Sequence, residues 1–392
     1  MKQYYCYLCT LLLFVACSGN QKSVKNKYEG KLTATKQLVA TGEKRFCLDM
    51  ETKVKPPYIQ LCTDSAGNRL LTFLNPRKNA IYFYNYSDTA YIKQPAFERE
   101  GSGAIMSAGV YYIKSPDSVY VFNRPMIEIA LTDSLGRIRS RVTLLDKNDK
   151  EWGMHNPQYM FSTVVPLMLI DNHLIMPGMA PFPKLLEDRE NFRFTACIDL
   201  ATNQFEYHHL YPEELFGNGY NWGGDLILLP YPAITPEGKM LHSFTNSHDL
   251  YLSDWNNNAA TTVYGGSNAA GTIRSIDYES KNTPNELVYA SYMEQDFYAA
   301  LIHDPYRKVY YRYLLRGIPD ATLQTPIDSK PVTIVVMDED FHYLGETTIG
   351  TGQEWNWTNS FVTEEGLNIE HIGTEPEDDD FLTFRLFNLQ DL

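Results

Sequence analysis

Three short segments with alternating hydrophobic residues occupy positions 116–145, and they constrain the fold more than any other stretch. Side chains two positions apart lie on the same face of a β-strand, so this period indicates strands rather than helices. The breaks at 123–125 (Asn-Arg-Pro) and 133–136 (Asp-Ser-Leu-Gly) are short and made of turn residues. The stretch therefore predicts an antiparallel meander. Its last segment carries arginine at alternate positions, which indicates an outermost strand that faces water.

The composition of the chain favours an all-β protein. Its 392 residues include 28 Tyr and 19 Phe, and aromatic side chains suit the pleated surface of a sheet. The formal net charge of -14 argues against nucleic acid as a partner, because nucleic acid needs a basic footprint. The sequence contains no metalloprotease helix motif, no Gly-x-Ser-x-Gly elbow and no phosphate loop. We therefore predict no cofactor and no metal site.

The N-terminus has the layout of a secretory signal. Lys2 precedes an apolar run that ends at Val15, and this run is too short to span a membrane stably. Ala16 followed by Cys17 resembles the lipobox of bacterial lipoproteins, in which the signal is removed and the cysteine is acylated. Phe14 departs from the leucine usual in that motif. A plain signal peptide with an incidental cysteine is the alternative.

These features predict three regions in the chain. They are a signal peptide over 1–16, a lipidated Cys17 with a flexible tether over 17–30, and a single domain over 31–392. No acidic residue follows Cys17 directly, which favours the periplasmic side of the outer membrane over the cell surface. We expect a monomer held to the outer membrane by its lipid.

Three cysteines remain outside the signal and the lipidation site: Cys47, Cys62 and Cys197. An odd number without regular spacing does not indicate a disulfide framework. We predict that they are small buried hydrophobic residues, and that the only pair worth checking is Cys47 with Cys62.

The alternation continues along the chain as sets of four strands separated by turn residues. After the last complete set only two strands remain, at 361–369 and 381–389, while two strands at 31–39 and 45–51 are unassigned at the other end. Together these would make one more set if the ends of the chain meet, which is how a β-propeller closes without a long exposed edge. We therefore predict six four-stranded antiparallel blades closed by N-terminal strands. Seven blades, or two β-sandwich domains, are the alternatives.

The lipobox, the turn at 235–239 (Thr-Pro-Glu-Gly-Lys) and the Gly-rich link at 99–103 resemble those of the TolB-like six-bladed propeller lipoproteins of Gram-negative gut anaerobes. The resemblance extends over nearly the whole mature chain. It implies a propeller fold and an outer-membrane location, and it implies no activity, because most of that group has no assigned function.

Several links between predicted blades are rich in Gly, Trp and polar residues, at 100–103, 151–156, 217–225, 265–268 and 350–357. In a propeller such links reach one face, where residues distant in sequence converge. Indole rings beside amides and carboxylates suit a sugar or another polar ring. The alternative is that the glycines form tight turns and the indoles wedge between blades. The predicted ligand-binding residues are Glu100, Trp152, His155, Asn156, Asn221, Trp222, Asp225, Glu354, Trp355 and Trp357.

We expect a non-catalytic propeller that binds a glycan, a peptide or an envelope protein through this Gly/Trp-rich face. A carbohydrate-active enzyme is one alternative, since it would need two carboxylates at the same face. An interaction scaffold that uses the sides of the blades is another. The acidic run at 375–380 offers calcium-type ligands, and a solvated loop is the preferred interpretation.

Four Asp-Ser/Thr-apolar triplets resemble the acceptor of periplasmic O-glycosylation in the same kind of bacteria, and all fall at predicted turns. An Asp-Ser pair also makes turns by bonding its own backbone, so both interpretations remain open. The predicted acceptors are Ser65, Thr89, Ser118 and Ser134.

Overall fold

The structure is a computed structural model that describes residues 21–52, 56–183, 186, 190–224, 227–278, 283–373 and 375–392. The predicted signal peptide, the lipidation site Cys17 and the candidate residue Asp225 lie outside these ranges. In the described part of the chain, no helix is long and apolar enough to cross a membrane.

The strands form six four-stranded antiparallel sheets, arranged as a six-bladed β-propeller, and one two-stranded pair. The chain starts with β1 (Ser23–Val24) and β2 (Lys36–Cys47). Blades 1 and 2 consist of β3 (Ile59–Thr63), β4 (Arg69–Asn75), β5 (Ala80–Asn85), β6 (Tyr91–Lys93), β7 (Ala108–Ser115), β8 (Ser118–Asn123), β9 (Glu128–Thr132) and β10 (Ile138–Thr143). Blades 3 and 4 consist of β11 (Met168–Ile170), β12 (His173–Pro177), β13 (Thr195–Asp199), β14 (Phe205–His208), β15 (Tyr231–Ile234), β16 (Met240–Ser243), β17 (Asp249–Ser253) and β18 (Thr261–Tyr264).

The second half of the ring begins with β19 (Ile273–Arg274), which pairs with β1. Blade 5 consists of β20 (Phe297–Asp304), β21 (Val309–Leu315), β22 (Pro331–Asp338) and β23 (Tyr343–Thr351). Blade 6 contains β24 (Trp355–Thr363), β25 (Gly366–His371) and β26 (Phe381–Asp391), with β2 as its fourth strand.

Blade 2 shows why this sequence forms a propeller. Its meander at 116–145 folds into the predicted strands, and β7 adds the first strand of the blade. Val121 and Ala130 are cross-strand partners, and both are fully buried. Arg139, on the outermost strand β10, is exposed. Consecutive residues of β8 are buried, so both faces of the middle strands supply apolar side chains to the packing between neighbouring blades, while the outermost strand meets water.

Both ends of the chain contribute to blade 6, as the sequence predicts. β2 pairs with β26 in an antiparallel register from Lys36↔Asp391 to Cys47↔Phe381. The predicted division into two N-terminal and two C-terminal strands is wrong, because blade 6 takes one strand from the N-terminus and three from the C-terminus. The supposed turn around Gly42 is a register shift between Ala40 and Gly42 within one strand, since a bulge absorbs an extra residue without ending the strand.

A glycine lets β2 reach this position. A Cβ atom on Gly345, in the outer strand of blade 5, would lie 1.9 Å from the carbonyl oxygen of Lys36. No residue with a side chain fits there unless the backbone shifts.

Among the described residues, three α-helices lie in the links between blades: α1 (Trp152–His155), α2 (Glu213–Phe216) and α3 (Asn285–Glu294). The strand pattern in the sequence also predicts that a fifth set of strands starts at Glu286. This start is wrong, because that stretch is α3. Pro284 occupies the N-cap position of α3, and proline is compatible with the start of a helix but not with its interior. Blade 5 begins only at Phe297.

The stretch 21–32, named the N-terminal strap here, packs against the propeller. Ser23 pairs with Arg274 and Val24 with Ile273. The side-chain amide of Asn26 is buried and donates to the carbonyl oxygens of Ser267 and Ala270, at 2.7 Å each. The strap therefore differs from the flexible tether predicted over 17–30. It is mostly polar in sequence, and Gln21 and Asn26 use their side-chain amides for specific contacts with the link before blade 5.

The three described cysteines are all free, so the pairing of Cys47 with Cys62 does not form. Cys197 is buried, Cys62 is half-buried and Cys47 is exposed. The prediction of buried cysteines therefore holds fully only for Cys197.

Candidate ligand-binding face

The links between blades and the turns between the second and third strand of each blade lie at the same end of the ring. This follows from four antiparallel strands per blade, since the fourth strand ends where the next blade begins. We call this end the link face; links such as 94–107, 144–167 and 352–354 lie there. The opposite end, formed by the turns after the first and third strands, is called the far face.

The inner strand of blade 6 has an irregular register near the link face. Asn356 pairs with Glu370, and the next described pair joins Ser360 to Ile369, so residues 357–359 are extra on the inner strand. Bulges of this kind bend a strand and re-aim its side chains, and they are frequent next to functional sites. The sequence Trp-Thr-Asn occupies the bulge.

A buried carboxylate holds the bulge in place. Glu370 is 2% exposed, and its Oε2 accepts hydrogen bonds from the side-chain amides of Asn356 at 2.7 Å and Asn359 at 2.6 Å. Asn359 also donates to the carbonyl oxygen of Pro56 at 2.7 Å, and its Oδ1 accepts from the hydroxyl of Thr163 at 2.6 Å. These bonds connect blade 6 to blade 1 and to the link before blade 3.

A cleft of about 220 Å³ opens on the link face between blades 5 and 6. Its polar lining includes Asn356, Asp328 and Lys330, and its aromatic lining includes Trp357 and Tyr292. Trp357 is half-buried and its ring lies 6.2 Å from that of Tyr313, so it is supported from the protein side. The cleft thus combines an indole, an amide and one carboxylate in a small volume. Its full described lining is Tyr292, Leu315, Ile327, Asp328, Lys330, Gly352, Trp355, Asn356, Trp357 and Ile372.

Lys330 is 1% exposed at the floor of the cleft. Its Nζ donates to the carbonyl oxygens of Tyr292, Met293 and Gln295, at 2.6, 3.3 and 2.7 Å. These carbonyls belong to the C-terminal end of α3, where a helix has unsatisfied acceptors. Burial lowers the pKa of this amine to about 7. All three N–H donors of the ammonium are used, so Lys330 caps the helix and offers no free lone pair in this form.

Three of the predicted indoles belong to the packed interior. Trp152 and Trp222 are 6% and 7% exposed, and the Nε1 of Trp222 donates to the carbonyl oxygen of Leu215 at 2.6 Å. Trp355 is 9% exposed and its Nε1 donates to the carbonyl oxygen of Ile349 at 2.8 Å, although it also contributes to the lining of the cleft. The expected open aromatic face is therefore reduced to the neighbourhood of Trp357.

The polar residues predicted for the site are dispersed over the link face. Glu100 lines a separate shallow depression near the buried pair of Arg141 with Glu128. Asn156 donates to the carbonyl oxygen of Trp152 at 3.0 Å, and so it ends the turn of α1. Glu354 is exposed and accepts from the backbone N–H of Thr351 at 2.8 Å. His155 is exposed, and Asn221 bonds the 278–283 stretch through Tyr278 and Thr283.

The comparisons with known proteins agree with this architecture. Residues 35–348 match the model of a domain of unknown function, DUF4221. The chain belongs to the DUF4221 family. A crystal structure of a DUF4221 member from Bacteroides vulgatus is similar, with a TM-score of 0.75 and 18% identity over 91% of this chain and 99% of that one. A protein from Bacteroides fragilis is similar at a TM-score of 0.55 and 10% identity, over 91% and 95% of the two chains.

At 18% and 10% identity, the two solved structures show that this DUF4221 protein shares their fold. They carry no information about its activity. The curated proteins compared with it give no match. Family membership and the six-bladed fold are therefore established, and the link to exported lipoproteins is taken up below as a proposal.

Sequence reasoning missed the residues that shape the site in this DUF4221 protein. Glu370 and Asn359 lie on strands whose polar positions looked exposed, and only the bulge reveals that they meet. Lys330 directly follows a short 3₁₀ helix, Ile327–Ser329, and its partners are more than thirty residues away in sequence. The cluster Trp-Asn-Trp-Thr-Asn at 355–359, unusually polar for an inner strand, was the one signal available.

The predicted glycosylation acceptors all lie on the far face, in blades 1 and 2. Ser65 is exposed, and the other three are half-buried. The carboxylates of Asp64, Asp88 and Asp133 each accept from the backbone N–H two residues further on, which is the turn-forming role that the alternative interpretation describes.

The acidic run also has a local role. Residues Pro376–Asp380 form a short 3₁₀ helix, and Asp378 pairs with Arg45 at 3.2 Å. This ion pair connects the acidic run to β2, the outermost strand of blade 6.

Proposed function

We propose that this protein is an envelope lipoprotein whose propeller binds a glycan, without catalysis, in the cleft between blades 5 and 6. The observation that carries the proposal is the pairing of a half-buried indole, Trp357, with the amide of Asn356 in one cleft. An indole face stacks on the apolar face of a sugar ring. The Asn356 amide donates once to Glu370 and accepts once from Thr358, so one N–H and one lone pair remain for the hydroxyl groups of a sugar.

The volume of the cleft sets the size of the ligand. Sites for drug-sized ligands occupy roughly 300–1,000 Å³, and the cleft has about 220 Å³. One terminal sugar ring is therefore a better match than an internal stretch of a chain. The rest of a glycan would extend over the link face.

The polar groups of the cleft favour binding over turnover. A glycosidase needs two carboxyl groups on either side of the scissile bond, and the described lining contains one, Asp328. Glu370 lies behind the bulge with two amide donors on one oxygen. Lys330 is committed to the end of α3. This arrangement supports the binding interpretation against the carbohydrate-active enzyme.

The proposal is tested by thermal unfolding of the mature protein with a panel of monosaccharides and short glycans. A ligand at about 100 times its Kd stabilises by roughly 2.7 kcal/mol, and we expect a corresponding rise in Tm. Trp357→Ala should abolish the rise, while Glu100→Gln, in the separate depression, should leave it unchanged. No rise across the panel, or a rise that survives Trp357→Ala, would contradict the proposal.

A second candidate function is an interaction scaffold that uses the sides of the blades. The burial of Trp152 and Trp222 supports it, because these indoles serve packing and leave fewer ligand contacts at the link face. In that case a partner from the envelope should bind the Trp357→Ala variant as well as it binds the unaltered protein.

The N-terminal strap supports a definite orientation for a lipidated form. Gln21 is hydrogen-bonded to Ser275 at 2.8 Å on the link face, and it lies four positions after Cys17. Four extended residues reach about 14 Å. Acylation of Cys17 would thus hold the link face towards the membrane and the far face away from it. Metabolic labelling with a fatty acid, lost in Cys17→Ala, tests the lipidation.

A further inference from the structure

A second cavity, of about 250 Å³, lies in the seam between blades 3 and 4. From blade 4 it takes side chains of the facing strands β16 and β17: His242 pairs directly with Tyr251, and side chains paired in this way share a face. From blade 3 it takes His209 and Phe194. We call it the seam pocket; it is separate from the cleft at Trp357. The remaining described lining is Glu190, Leu210, Tyr211, Pro212, Glu213, Glu214, Phe244, Ser253, Asn258 and Ala260.

The floor of the seam pocket contains buried polar atoms without partners. His242 is 3% exposed, and its Nε2 has no hydrogen-bond partner among the described residues. The hydroxyl of Ser253, two positions from Tyr251 and therefore on the same face, is also buried without a partner. An unsatisfied buried polar group is costly, and each such group in a folded protein calls for an explanation. Both atoms belong to residues that line one cavity, so a single small ligand can bond both.

The imidazole of His209, the second histidine of the seam pocket, is held by two hydrogen bonds. The Nδ1 of His209 lies 3.0 Å from the hydroxyl of Thr195, and its Nε2 lies 3.3 Å from the carbonyl oxygen of Asp254. A carbonyl oxygen can only accept, so Nε2 carries the proton and Nδ1 accepts from Thr195. The backbone of His209 has a φ of 65°, a left-handed conformation that is uncommon for a residue with a side chain. Both ring nitrogens of His209 are thus engaged, and this residue forms part of the pocket wall. The Nε2 of His242 is the imidazole nitrogen that remains for a ligand.

The charge of the seam pocket favours a cation. The carboxylates of Glu190 and Glu214 line its exposed rim, and its described lining contains no lysine or arginine. Arg193 lies next to the rim, where it donates to the backbone oxygen of Glu190. Burial lowers the pKa of His209 to about 4 and holds that of His242 well below its usual range. Both imidazoles are therefore neutral at pH 7 and do not repel a positive charge.

Aromatic rings complete the floor. Phe244 and Tyr251 meet edge to face at 5.1 Å, and Phe194 lies 5.2 Å from His242. Ring faces attract cations, most strongly where water is excluded. A quaternary ammonium ion would satisfy the rings and the glutamates but could not donate to the imidazole or the hydroxyl. A primary ammonium has three N–H donors and fits both requirements.

We propose that the seam pocket binds a small primary ammonium ion, with its N–H groups directed to His242 and Ser253 and its charge balanced by the rim glutamates. This site does not depend on the glycan cleft.

A matched pair of probes tests the proposal: putrescine against 1,4-butanediol, each titrated into the full mature protein by calorimetry. We expect binding of the amine and none of its neutral counterpart. Glu214→Gln, at an exposed position, should weaken amine binding by about tenfold, equivalent to about 1.4 kcal/mol. Ser253→Ala should weaken it as well, and the matched control Glu354→Gln should not.

Three results would overturn the proposal. They are absence of amine binding, equal binding of the neutral probe, and amine binding that persists in the Glu214→Gln and Ser253→Ala variants. Amine binding that is lost in Trp357→Ala would instead assign the ammonium to the other cleft, and so would also count against the seam pocket.

Discussion

The side-chain amide of Asn359 lies 2.6 Å from the buried carboxylate of Glu370, and a bulge of residues 357–359 brings the two together. Without the extra residues, Asn359 would continue the regular ladder of the inner strand. The bulge therefore fixes the position of Trp357. The shape of the candidate cleft thus depends on the hydrogen bond between Asn359 and Glu370.

Asn359→Ala should destabilise the protein by about 2 kcal/mol, because it removes one donor from a buried carboxylate and leaves Thr163 without its acceptor. Urea unfolding measures this loss. Asn356→Ala, which removes the other donor at a half-buried position, is the matched control and should cost less. A fully stable Asn359→Ala protein would mean that the network does not hold the bulge.

Arg312 is fully buried in blade 5 and makes no ion pair among the described residues. Its guanidinium donates to four backbone carbonyls and to the hydroxyl of Ser243, and it lies 3.8 Å from the ring of Tyr298. Arg312→Met should cost at least about 3 kcal/mol, since the acceptors remain buried without donors. Arg312→Lys, with fewer donors, should be intermediate, and Arg139→Met, on an exposed edge strand, should be close to neutral in the same urea experiment.

Acid should destabilise the fold before its carboxylates titrate. Burial lowers the pKa of His209 and of His248 to about 4, from 6.5. Below pH 6.5 these two histidines are therefore protonated in the unfolded chain but remain neutral in the folded chain. The free energy of unfolding consequently falls between pH 6.5 and 4. Each histidine contributes a loss of about 3 kcal/mol across this window, at 1.36 kcal/mol per pKa unit.

Urea midpoints at pH 7, 6, 5 and 4 measure this dependence. His209→Asn should flatten the curve relative to the unaltered protein, while replacement of the exposed His155 should not. A midpoint that is constant down to pH 4.5 would show that these imidazoles are protonated in the folded state. The acids with lowered pKa values, such as Asp133, contribute only below about pH 4.

Deletion of residues 31–52 should unfold the whole propeller, because it removes β2 and leaves β26 without its outer partner. A protein that starts at residue 21 should unfold as cooperatively as the mature form. Circular dichroism on heating distinguishes the two. A deletion variant with an unchanged cooperative transition would mean that closure by β2 is dispensable.

The intact mass of the native protein tests the predicted O-glycosylation. If any of the four acceptors on the far face is used, the native mass exceeds that of the processed and lipidated polypeptide; Ser65 is the most accessible of the four. Replacement of Ser65, Thr89, Ser118 and Ser134 by alanine should then remove the excess mass. A native mass without any excess would rule the modification out and leave the turn-forming role.

Short apolar segments between turn residues were sufficient to predict the blades. Val121 and Ala130 lie between apolar or aromatic neighbours, and both faces of β8 and β9 are largely buried. The closure of the ring was also predictable, because strands were left over at both ends. How the strands of blade 6 are divided between the two ends of the chain was not predictable, because the bulge near Gly42 has the same composition as a turn.

The candidate sites were much harder to predict. His242 and Ser253 sit in ordinary strand patterns, and only the packing of blade 3 on blade 4 shows that they face a cavity. Trp152 and Trp222 looked like ligand contacts because of their polar neighbours in sequence, but the links fold back and bury them. Sequence spacing reports which face of a strand a residue occupies, and it does not report what lies opposite.

The pairing of β2 with β26 also bears on the order of events during synthesis. Lys36 is among the first residues of the propeller to leave the ribosome, and its partner Asp391 is the residue before the last. Five blades can assemble from contiguous sequence while the chain grows, but the sixth waits for the final strand. Until then one outer strand has no partner, and the joining of ends so distant in sequence is an intrinsically slow step. A stop codon at the start of β26 would therefore leave an open ring.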